Sequence, residues 1–210
     1  MLQPPQIIDE KNAQSPPPTW HRKIARLLKI FAILGLIVGI QLAISHTGAD
    51  DLLHQLDTQS AQYAITKVMQ QHTQLIFSIG LIQALLAFLL LLASSGIKHK
   101  KFPAVKLTLF WATIKIAFVI IAIPLAYPLF TQSYIATIQS PEFKASLETN
   151  QLPLNPQSQE QLSQTLAVIT SAVLLLWLLA LPLFTIFFFN RKHIKPQVFS
   201  WITQQPKIPE

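Results

Sequence analysis

Four uninterrupted apolar blocks constrain this chain more than any other feature. They cover residues 24–45, 73–94, 106–130 and 165–189 of the 210. Each reaches the roughly 20 residues that carry an α-helix across about 30 Å of hydrocarbon. Within lipid, backbone N–H and C=O groups must pair inside their own segment or in a closed barrel. Barrel-type alternation in ten-residue strands is missing from the sequence. The expected fold class is therefore an all-α membrane protein, a bundle of four transmembrane helices. Composition agrees, with 51% hydrophobic and 12% charged residues, against roughly 25% charged in soluble domains.

Charge placement predicts the orientation. Of the 16 basic residues, five precede or enter the first block: Lys11, Arg22, Lys23, Arg26 and Lys29. Lys98, Lys100, Lys101 and Lys106 sit in the short link between the second and third blocks, and Arg191, Lys192, Lys195 and Lys207 follow the fourth. The two long connections carry only Lys67 and Lys144, together with Asp50, Asp51, Asp57, Glu142, Glu148 and Glu160. Bases concentrate on the cytoplasmic side of membrane proteins. Both termini and the middle link are thus expected in the cytoplasm, and both long loops outside, as in a bacterial inner membrane. A competing reading takes Phe31 to Ala43 as the core of a cleavable signal peptide. Its leader would be unusually long and Gln41 interrupts the approach to the cleavage site, so an uncleaved span is expected.

The polar segments divide the rest. Residues 1–19, with Pro4-Pro5 and Pro16-Pro17-Pro18, have no apolar period and read as a disordered tail. Residues 20–194 form the transmembrane domain, and residues 195–210 an amphipathic cytoplasmic tail at the interface. Trp20 and the adjacent bases read as an anchor on anionic headgroups of the bilayer rather than a nucleic-acid patch, because topology already accounts for the charge. The long loops carry helix signals. Ser140-Pro141-Glu142 and Asn155-Pro156 look like helix starts, with Ser158 and Gln161 at capping-box spacing. Ile65, Val68, Met69, His72 and Ile76 keep a helical period. Helical extensions of spans two and four are expected, forming a small cap over the bundle.

Within the spans, Gly35, Gly39 and Ala43 recur every fourth residue. Such stripes let helices approach closely, and packing inside the four-helix unit is favoured over a homodimer. Gly80 and Ala84 form a weaker matching stripe. Lys115 is the single ionisable residue well inside a span. A structural reading has its amine snorkel toward the start of the span, held by a cation–π contact with Trp111. A functional reading pairs it with Gln83 at similar depth, to bind an anionic group or line a polar path. No Asp or Glu falls inside any span, which disfavours a proton relay or sodium site. The histidines lie outside the spans or at their edges, which argues against haem ligation. His46, His54 and His72 with Asp50, Asp51 and Asp57 match no closed metal geometry. With no cysteine, thiol catalysis and thiolate metal sites are excluded.

No cofactor and no catalytic constellation are expected, so the chain does not read as an enzyme. The leading expectation is a small inner-membrane protein with an interaction, accessory or assembly role. The alternative is a small oligomeric permease or channel with a polar path at Lys115 and Gln83.

Overall fold

The apolar blocks become helices, and in a computed structural model, which describes residues 19–45, 53–58, 60–149 and 155–203, they set the whole architecture. The first span is α1 (Trp20–Ile44). A short helix, α2 (Ala61–Gln71), precedes the second span, α3 (Thr73–Lys98). The third span is α4 (Phe102–Gln139), followed by the short α5 (Pro141–Thr149). The fourth span is α6 (Pro156–Phe189), and α7 (Lys195–Thr203) closes the described chain. Among the described residues, α1, α3, α4 and α6 are the four helices long and apolar enough to cross a membrane. Of the expected disordered tail, residues 1–19, all but Thr19 lie outside the described part, as do residues 204–210.

Helix boundaries follow local chemistry rather than hydropathy. The third helix was expected to end near Phe130, yet α4 continues for another two turns to Gln139. Residues 131–139 mix polar and apolar side chains but contain neither Gly nor Pro. The helix stops only at Ser140, which is extended (φ −61°, ψ 143°) because the following Pro141 disfavours helical geometry there. The expected extension of span two is instead a separate helix. The chain breaks at His72 (φ −107°, ψ 20°), and α2 folds over the far end of α4, which buries Val68. Ser60 Oγ caps α2 by accepting the Tyr63 N–H at 3.1 Å. The start of α6 is capped by Asn155, whose Oδ1 accepts the Ser158 N–H at 2.7 Å; Ser158 is thus inside the helix and is not its cap.

One tight turn joins α3 to α4. Lys101 N–H bonds to Gly96 O and Lys100 N–H to Ile97 O, both at 3.0 Å, with Lys100 at φ 55°. That left-handed position usually takes glycine, and a side chain there costs about 1–2 kcal/mol.

The spans pack in the order α1, α3, α4, α6, each against the next. Lipid supplies no hydrophobic drive between helices, so close approach has to come from shape. At the α1–α3 crossing a β-carbon on Gly39 would lie 2.6 Å from Ala84 N, and one on Gly80 would lie 2.5 Å from Ala43 N. The small-residue stripe expected from the sequence is therefore filled by α3, and the face proposed for a homodimer is occupied within the chain. Leu28, Leu90, Ile97 and Val119 are fully buried between the helices. Leu85, Ile121 and Leu176 are at least 58% exposed, as lipid-facing residues are.

Candidate functional site

The row of spans is not closed into a ring. The first and last members, α1 and α6, do not pack along their length. Between them lies a cleft of about 340 Å³ whose floor is formed by α3 and α4. Its walls are Phe31, Leu34, Gly35 and Val38 of α1, and Leu174, Trp177, Leu178, Leu181 and Pro182 of α6. Gln83, Trp111 and Lys115 supply its polar part.

Lys115 is 5% exposed and points into the bundle. It lies 13 residues into α4, about 20 Å along the helix, too deep for its side chain to reach the near end. Its Nζ donates to Gln83 Oε1. Burying an ammonium is costly without a partner, and hydrogen bonds to a charged group are the stronger kind. The snorkelling geometry expected for Lys115 is absent. The cation–π partner is also different: Nζ stands 5.1 Å from the centroid of Phe118, not over Trp111. One turn of helix separates Lys115 from Phe118 and from Trp111 alike, so spacing alone did not choose between them.

Gly35 makes room for this pair. A β-carbon at that position would sit 3.1 Å from Gln83 Nε2 and 3.3 Å from Ala87 Cβ. The glycine stripe of α1 thus has two jobs: Gly39 lets the backbones touch, and Gly35 admits a polar side chain. Trp111 is 4% exposed, and its indole Nε1 is buried with no hydrogen-bond acceptor. An indole N–H left unpaired in an apolar setting is a standing demand for an acceptor. Lys115 adds to that demand, since an ammonium has three donors and one is taken by Gln83. On the wall, Pro182 has no N–H to give, which frees the Leu178 carbonyl from its helical bond.

Trp177 was not singled out by the sequence, and its surroundings make it notable. It is 70% exposed near the middle of the fourth span, at the mouth of the cleft. Tryptophan normally sits at the membrane–water interface, where its N–H stays wet. The available signal was its distance from either end of the apolar block.

At the end of the bundle that holds Trp20, aromatic packing ties α1 to α6. Trp20 stacks on Trp201 (5.6 Å, 16°), meets Phe188 edge-on at 5.5 Å, and donates its indole N–H to Gln197 Oε1 at 2.6 Å. Trp20, read from the sequence as an interfacial anchor, joins α1, α6 and α7. Val198 and Trp201 are buried while Phe199 and Ile202 are about half exposed, so the first part of the tail is amphipathic but docks on the bundle. At the far end, His72 Nε2 bonds to Gln132 Oε1 at 2.8 Å, Tyr134 to Thr170 at 2.6 Å, and Glu142 Oε2 accepts the Ala61 N–H at 3.0 Å.

Of the loose metal set, His46, Asp50 and Asp51 lie outside the described residues. Among the described residues no group of three or more potential ligands comes together. No family model matches the chain, and neither a curated protein nor a solved structure does. What the chain shows of itself is the architecture: four membrane-span candidates of a multi-pass membrane protein, with a polar-floored cleft between the first and the last.

Proposed function

We propose that the protein is a non-catalytic accessory component of a bacterial inner membrane, and that its α1–α6 cleft receives a transmembrane segment of a partner protein. The observation that carries this reading is the exposed mid-span Trp177 beside a cleft whose floor holds unpaired donors at Trp111 and Lys115. An apolar helix bearing one acceptor side chain, such as Asp, Glu, Asn or Gln, complements both the walls and the floor. Small residues and polar groups are the usual means by which helices associate in lipid. In this reading both termini and the α3–α4 link face the cytoplasm, a placement that the distribution of bases supports.

The polar-path alternative draws on the Lys115–Gln83 pair at mid-depth. Against it, every other residue lining the cleft apart from Trp111 and Trp177 is apolar or glycine, so the polar lining does not continue toward either end. Chemical crosslinking in intact membranes, followed by identification of adducts, tests the proposal. The wild-type chain should yield a reproducible partner that Trp177→Ala loses, since that side chain contributes little to the chain's own packing. Adducts of the single chain alone, under several crosslinkers, would contradict it.

A further inference from the structure

A second concavity lies on the other side of α1, toward the end marked by Trp20. It is a groove of about 460 Å³ between α1 and α3, lined by Arg22, Arg26 and Lys29 from the first helix and Ser94, Ser95, Lys98 and His99 from the second. Arg22, Arg26 and Lys29 follow i, i+4, i+7 spacing, which puts them on one face of α1. Lys98 lies in the last turn of α3, opposite that face. Beside the bases the lining is apolar, with Ala25, Leu91 and Leu92.

We propose that this groove binds the phosphate headgroup of an anionic phospholipid, with the start of an acyl chain on Leu91 and Leu92. Four cationic side chains share one concavity, and like charges so placed repel one another unless an anion joins them. No described carboxylate does so. Asp57, Glu142 and Glu160 sit before α2, in α5 and at the start of α6, all at the far end of the bundle. Arginine forks and the exposed Ser95 hydroxyl are apt donors for phosphate oxygens, while Ser94 is buried and donates to the Leu91 carbonyl. The apolar floor decides between sources of phosphate: a free ion uses only the cations, whereas a phospholipid uses cations and floor together. Basic pockets between spans at headgroup level are known to take such lipids. The site is distinct from the α1–α6 cleft and does not depend on the role given to it. It also differs from general attraction to an anionic surface, because it is local to two helices.

Native mass spectrometry of the purified full chain in detergent, with phosphatidylglycerol, phosphatidylcholine or inorganic phosphate added, tests this. Phosphatidylglycerol should be retained in preference to phosphatidylcholine. Arg26→Gln combined with Lys98→Gln should weaken its retention on the order of twentyfold. Lys192→Gln combined with Lys195→Gln removes the same charge at the same end but outside the groove, and should change retention by less than about twofold. All four side chains are exposed, so the fold should be kept; thermal unfolding checks this. Equal loss in both double variants would reduce the effect to net charge and overturn the proposal. Equal retention of the two lipids, or displacement of phosphatidylglycerol by millimolar inorganic phosphate, would overturn it as well.

Discussion

At the scale of single residues, Lys115 and Gln83 hold the least replaceable contact in the bundle. The two members are unequal, because removing the glutamine strands a cation while removing the lysine strands a neutral amide. Gln83→Leu should therefore destabilise the purified protein by about 1.5–3 kcal/mol. Lys115→Leu should be near neutral or stabilising, since replacing a buried polar contact by hydrophobic packing often is. Thermal unfolding in detergent ranks the two variants, and the opposite order would refute the pairing. The sequence made Lys115 conspicuous and put Gln83 at its depth. It did not reveal which aromatic ring the amine meets, because Trp111 and Phe118 lie one turn to either side and the choice depends on a rotamer. Nor did it reveal the role of Gly35, whose missing side chain matters only through the position of Gln83.

At the scale of helices, the spans were legible because hydrocarbon tolerates only helices and closed barrels, and the strand alternation of a barrel is missing. Their continuations were less so. Hydropathy ends α4 near Phe130, but helix geometry obeys breakers, and the first one is the Ser140-Pro141 step. The break between α2 and α3 has no Gly or Pro to announce it; His72 yields because folding α2 onto α4 buries Val68. The α1–α3 crossing gives a sharper test of helix packing. Gly39→Ala places a methyl against backbone atoms and should cost about 1–3 kcal/mol. Gly35→Ala meets the end of a flexible side chain and should cost distinctly less, as read by unfolding midpoints. The docking of α7 rests on Trp201, which is 5% exposed and stacked on Trp20. Trp201→Ala, a loss worth about 3 kcal/mol or more in a packed site, should release α7 and speed trypsin cleavage at Arg191 and Lys192 severalfold. Unchanged cleavage would mean the tail is held elsewhere.

At the scale of the whole molecule, the four spans form an open row, and the open edge is what the account turns on. The positive-inside asymmetry predicts how that row sits. With no native cysteine, single replacements can be labelled without background. Gln62→Cys and Gln157→Cys should react with an impermeant maleimide in intact cells, and Lys100→Cys and Ser200→Cys only after lysis. The cleft itself was not visible in the sequence, since an apolar residue facing lipid and one facing a partner have the same composition. Only the failure of α1 and α6 to pack along their length separates them. The most direct measurement is site-specific photocrosslinking in the native membrane, from positions 34 and 177 at the cleft and from position 121 on the lipid face of α4. Discrete protein adducts from Leu34 and Trp177, with none from Ile121, are the predicted result. Lipid adducts alone from all three positions would contradict a partner segment in the cleft.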